Sequence, residues 1–144
     1  MSKALSRDDM IRLLVEQLGR RRVRWLPVKT QVQVIRRLIA RAFPAENGCV
    51  FFDGALTENG YGRMNIRLHG NHVQLSVHRI ACQLAHCGDD IPHYKEAAHD
   101  CDCPPCLHPL HLKFQRRRDN RAKSARNTNA KKAARRVAEE RLAA

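Results

Sequence analysis

His99-Asp100-Cys101-Asp102-Cys103-Pro104-Pro105-Cys106-Leu107-His108-Pro109-Leu110-His111-Leu112 is the stretch that decides how this chain folds. Zinc takes four soft or borderline donors in a tetrahedron, at roughly 2.0 to 2.3 Å. Cys101, Cys106 and His111 follow one another with four residues between each pair and prolines among them. A tight loop with that spacing can turn three side chains onto one point. The fourth ligand must come from elsewhere, and Cys49 is the best candidate because it stands alone at the start of an expected strand. The plain alternative is a cluster of reduced, unmetallated cysteines, but three cysteines and two histidines between prolines are hard to explain as core packing. Cys82, Cys87 and Cys103 could form a second site; Cys82 reads equally well as a small buried hydrophobe in a helix.

The 144-residue chain suits one domain with appendages. Aromatics supply only 5% of it, so a metal is a natural source of stability. The opening segment is charged throughout and lacks the apolar core of a signal peptide, and no run is long and apolar enough for a membrane span. A reducing cytoplasm is therefore expected, where clustered cysteines and histidines read as metal ligands rather than disulfides. Lys and Arg outnumber Asp and Glu 27 to 14, for a formal charge of +13. Such an excess points to a polyanionic partner, most commonly nucleic acid, with a ribosomal or membrane-surface role as the alternative.

Three segments are expected: N-terminal helices over 1–47, a central unit over 48–126, and a basic tail over 127–144. The first holds a helix after Ser6 as N-cap, with Asp8 and Asp9 in its first turn, and a second from about Thr30 with Val32, Ile35, Leu38 and Ile39 on one face. Arg36, Arg37 and Arg41 lie near the opposite side. In the centre, strands are expected near Cys49–Phe52, Tyr61–Leu68 and Val73–Val77, with turns at Asn59-Gly60 and His69-Gly70-Asn71. A short helix from His78 to about His86 ends at Cys87-Gly88. The Arg-, Lys- and Ala-rich end favours helix, but Asn127-Thr128-Asn129 is expected to interrupt it, leaving a tail that is disordered or ordered only on a partner.

The run Ala98-His99-Asp100-Cys101-Asp102-Cys103-Pro104-Pro105-Cys106-Leu107-His108-Pro109-Leu110-His111-Leu112, followed by Asp119-Asn120, resembles the HNH, or His-Me finger, nucleases, closest to zinc-clamped phage and intron-encoded homing types. Cys49 before an aromatic, Asp53-Gly54-Ala55-Leu56, Gly60-Tyr61-Gly62-Arg63 and His78-Arg79 extend the resemblance over roughly residues 48–126. It implies an α+β fold: a small antiparallel β-sheet plus a zinc-stabilised ββα-metal motif, with N-terminal helices and a basic C-terminal helical tail. Cys49, Cys101, Cys106 and His111 would hold the structural zinc. His99 would be the general base on a hairpin strand, and Asn120, on the next helix, would ligate a catalytic Mg²⁺ or other divalent cation. His108 stands at the family's usual Asn, which orients the loop or the base, and is carried as a further catalytic position. Cys103 replaces a usual Asn, and Gln115-Arg116 replaces a usual Gly-Thr.

Read without the resemblance, His99 could also be a second-site zinc ligand or a loop histidine, and Asn120 a solvated polar residue. The expected function is a metal-dependent DNA endonuclease. The alternatives are a zinc-clamped nucleic-acid-binding protein that does not cut, and a zinc-bearing RNA-binding factor. Double-stranded DNA is the expected partner, contacted by Arg63, Arg67, Arg79, Arg116, Arg117, Arg118, Arg121, Lys123 and Arg126. Symmetric duplex cutting favours a homodimer.

Overall fold

Ser6 opens the first helix, α1 (Arg7–Leu18), as the sequence expects: its hydroxyl oxygen accepts from the amide of Asp9 and meets one of the unpaired N–H groups of the first turn. Met10, Leu14 and Leu18 recur every four residues and are buried. The computed structural model describes residues 6–45, 48–88, 91–92 and 94–143 and, in the last helix, every side chain but those of Asn127, Ala130 and Lys131. The boundary drawn at residue 47 falls outside them.

The second helix, α2 (Val28–Ala40), starts directly after Pro27, two residues ahead of the expected Thr30. Proline's fixed φ suits the entry to a helix, so the break and the start coincide. Val34 and Leu38 are its buried residues, with Ile35 packed beside them, whereas Val32 is 42% exposed. Val32 and Val34 stand two residues apart, about 200° around the helix, so only one can face inward.

Among the described residues, three two-stranded antiparallel sheets follow. β1 (Ala42–Pro44) pairs with β2 (Val50–Phe52), Phe43 lying opposite Phe51. The sequence gives little sign of β1, which has three residues and ends in a proline suited only to an edge. β3 (Arg63–Leu68) and β4 (Asn71–Ser76) form a hairpin whose last pair is Leu68 with Asn71. Its two turn residues, His69 and Gly70, both have positive φ (50° and 79°), the tight turn whose twist matches that of the strands. Met64, Ile66 and Leu75 point into the core, and Arg63, Asn65 and Arg67 point out.

The chain then enters α3 (Val77–Cys82), which continues as a π-helical turn to Cys87 and stops at Gly88 with φ 74°. The last hairpin pairs β5 (Lys95–His99) with β6 (Leu112–Arg116), from Lys95 opposite Arg116 to His99 opposite Leu112. Residues 100–111, with the cysteines, form its connection. β6 runs directly into α4 (Arg117–Ala143), one helix of 27 residues. The expected interruption at Asn127-Thr128-Asn129 does not occur, and the division at 126/127 lies inside this helix. Asn and Thr each cost well under ~1 kcal/mol in a helix, too little to break one rich in Ala, Arg and Lys.

A single cluster joins Leu14, Leu18, Val34 and Leu38 to Ile66, Leu75, Ile80, Leu84, Leu107 and Leu112. The N-terminal helices therefore back the same core as the cysteine loop and the last hairpin. Among the described residues no helix is long and apolar enough to cross a membrane.

Candidate metal centre and the adjoining cavity

Cys49, Cys101, Cys106 and His111 converge: one ligand atom from each lies within 4.8 Å of the others. His111 Nδ1 is 3.6 Å from Cys49 Sγ and 3.5 Å from Cys106 Sγ. A tetrahedral zinc with ordinary bond lengths sets its ligand atoms about 3.5 to 3.8 Å apart. Three sulfurs and one imidazole are a structural-zinc donor set, and the cluster can hold a metal ion such as zinc. Burial and neighbouring thiols push Cys49 and Cys106 upward, so gathering three thiolates here is costly without a cation.

Local structure explains the convergence. Leu107 N donates to Val50 O at 2.8 Å and Phe52 N to Pro105 O at 3.0 Å, fastening the loop to β2, just beyond Cys49. His108 starts a 3-10 turn (Pro109–His111) and its Nδ1 accepts from Leu110 N at 3.1 Å. Its ring also stacks on His111, with centroids 4.6 Å apart. His86 of the π-helical turn donates from Nε2 to Pro109 O at 2.6 Å. Cys82, Cys87 and Cys103 do not join a ligand group among the described residues. Cys82 is buried in α3, where desolvation and nearby Cys87 raise its thiol to about 12, and Cys103 donates to Cys101 O.

His99 ends β5 two residues before Cys101 and is 8% exposed. Its Nε2 lies 2.7 Å from Cys106 O. A carbonyl only accepts, so a neutral His99 carries its proton on Nε2 and its lone pair on Nδ1. Burial pushes this imidazole below its ordinary value, against the hydrogen bond to Cys106, which raises it. The rings of His78 and Tyr61 stack nearby, with centroids 5.1 and 5.9 Å from that of His99. Burial and the facing His99 lower His78 to about 4.

Asn120 lies in the first turn of α4 and shares a cavity of about 200 Å³ with His99. Tyr61, Asp102, Ser124 and Thr128 also line it. Asn120 Nδ2 donates to Glu96 Oε2 at 2.9 Å, while Glu96 Oε1 pairs with Arg117 Nε at 2.9 Å. Lys123, expected among the nucleic-acid contacts, turns inward instead: its Nζ donates to His99 O at 3.0 Å and pairs with Asp102 at 3.3 Å. His108 is not among the described residues lining this cavity.

Of the other expected contacts, Arg63, Arg67, Arg79, Arg116, Arg117, Arg118, Arg121 and Arg126 are all exposed. Arg63 and Arg67 share the outer face of the β3–β4 hairpin with Asn65, and across the strands with Ser76, Gln74 and His72. Glu96 escapes sequence reasoning, and Tyr61 and Asp102 enter it only as members of longer motifs with no role of their own, because nothing in their local context distinguishes a positioned side chain from a solvated one. Only a full strand register brings Glu96 to Asn120. No family model, curated protein or solved structure matches the chain.

Proposed function

We propose that the chain is a metal-dependent DNA endonuclease of the HNH, or His-Me finger, kind, clamped by a structural zinc at Cys49, Cys101, Cys106 and His111. The observation that carries this reading is one cavity lined by both His99 and Asn120. A β5–β6 hairpin followed directly by α4, with the cysteine loop between its strands, supports this reading.

In this reading His99 is the general base, and its Nδ1 lone pair takes the proton of the attacking water. The Cys106 carbonyl holds the tautomer, and the stacked rings of His78 and Tyr61 limit rotation of the imidazole. Glu96 holds the amide nitrogen of Asn120, which leaves Oδ1 as the oxygen ligand for a hard divalent ion. Such an ion, when bound, neutralises charge on the phosphate and on the leaving oxygen. The clamp itself stays out of the chemistry, since four protein ligands leave no open position.

Binding would precede cutting. The outer face of the β3–β4 hairpin presents Arg63, Asn65, Arg67, His72 and Gln74 in register. A two-stranded ribbon fits a DNA major groove, and Arg, Asn and Gln are the side chains that read base edges there. Two copies on a duplex would account for cutting both strands.

The test is plasmid nicking with magnesium. Native protein should cut, while His99→Ala and Asn120→Ala lose at least ~10²-fold in rate and still bind DNA. Cutting by His99→Ala at the native rate overturns the assignment of the base. A second reading, a zinc-clamped DNA-binding protein without turnover, draws on His108, which serves here as a turn cap. It predicts tight binding and no nicking by any of the three.

A further inference from the structure

A larger concavity lies apart from the cavity of His99 and Asn120 and shares no lining residue with it. It has a volume of about 510 Å³, between α2 and the β3–β4 hairpin. Arg37 and Arg41 reach it from α2 and from the residue after it, and Arg63 from β3. Among the described residues no acidic side chain lines it, neighbouring Asp53 included. None of the three arginines has an ion-pair partner among the described residues. Three like charges around one hollow repel one another, and an anion seated between them relieves that repulsion.

The guanidinium groups are also aimed. Arg37 Nη1 donates to Asn65 O at 2.6 Å, and Arg41 Nη1 to Asp53 O at 3.4 Å. Each anchor uses one of five N–H donors and leaves the rest of the fork for a phosphate. Ala40 and Gly54 also line the hollow, and the Asn65–Gln74 pair of the outward hairpin face forms another wall. The hollow thus opens beside the face that would enter a major groove.

We propose that this groove is a binding site for the phosphodiester backbone of duplex DNA, with Arg37 and Arg41 as its phosphate ligands. The proposal rests on the nucleic-acid part of the function above and not on cleavage. Arg63 lies at the junction of the two surfaces, so one duplex would be held by its bases on the hairpin and by a flanking phosphate in the groove.

The test is the salt dependence of binding to a fluorescent DNA duplex, with zinc present and no added magnesium. Each phosphate contact contributes about 0.9 to the slope of log affinity against log salt, so Arg37→Gln/Arg41→Gln should lower it by about 1.8. The affinity gap between native and variant then narrows by roughly tenfold as salt rises from about 50 to about 200 mM. An unchanged slope in a variant that keeps its zinc and its melting temperature overturns the groove. Should the variant misfold, the native protein's arginine Nε–Hε NMR signals decide instead: Arg37 and Arg41 should move on adding duplex, and movement confined to α4 arginines overturns the proposal. A larger slope change on duplex RNA than on DNA overturns the commitment to DNA. Binding with the expected slope change but no nicking removes the nuclease reading alone.

Discussion

Asn120 and Glu96, residues 24 positions apart, are joined by a 2.9 Å hydrogen bond that fixes which end of the amide faces the cavity. A carboxylate only accepts, so Nδ2 must point at Glu96 and Oδ1 away from it. Glu96→Ala frees the amide to flip, at a cost of about 1.5 kcal/mol or more for the lost bond to a charged acceptor. Nicking should then need about tenfold more magnesium for half-maximal rate. A magnesium titration that superimposes on the native curve would show that Glu96 does not orient Asn120.

Zinc should copurify at one equivalent per chain. Structural zinc contributes on the order of 10 kcal/mol to small domains, comparable to the whole stability of most. Chelation, or Cys106→Ser, should abolish the cooperative melting transition followed by circular dichroism. A stripped chain that melts as before would contradict the Cys49, Cys101, Cys106 and His111 set.

His78 makes stability depend on acidity. Its folded value of about 4 lies below the ordinary 6.5, through burial and the facing His99, with Arg79 lowering it further and the Ala97 backbone and Glu96 opposing. The unfolded chain therefore binds the proton more readily, so stability is complete above pH 6.5 and falls as pH drops toward 4. From about pH 7 to pH 5 the loss from this residue is about 2 kcal/mol. Denaturant unfolding of native protein and His78→Phe at both pH values isolates it: the variant should lose about 2 kcal/mol less. Parallel pH dependences would refute the assignment.

Gly62 passes close beneath two side chains. A Cβ there would lie 2.8 Å from Phe52 Cδ1 and 3.0 Å from Val77 Cβ. Neither neighbour is the loose end of a flexible chain, so Gly62→Ala should destabilise by about 1 to 3 kcal/mol. The urea midpoint reads this directly, and a midpoint equal to the native one would mean that the site repacks freely.

The sequence shows the parts of this fold that depend on local chemistry. Ser6 caps α1, His69-Gly70 turns the hairpin, Gly88 ends the π-helical turn, and spacing brings Cys101, Cys106 and His111 to one point, with Cys49 added as the lone cysteine at a strand start. It hides what depends on tertiary pairing. Lys95-Glu96-Ala97-Ala98-His99 contains no β-branched residue, so β5 is extended because β6 pairs with it. Val34 faces inward in place of Val32 because the core decides the rotation of α2. Lys123 reads as one more surface cation until the His99 carbonyl and Asp102 are seen to hold it. The Glu96–Asn120 pairing needs a strand and a helix to be placed together, which no local pattern encodes.

Cys49 and His111 stand 62 residues apart, yet one ion between them would cross-link β2 to the loop of the last hairpin. Closing a ring of that size removes about 4 kcal/mol of chain entropy from the unfolded state, on the scale of a disulfide. Unlike a disulfide, this tie persists in a reducing environment and is undone by losing the ion. The metal would then reinforce, reversibly, the backbone bonds from Leu107 to Val50 and from Phe52 to Pro105 that already hold these two distant stretches together.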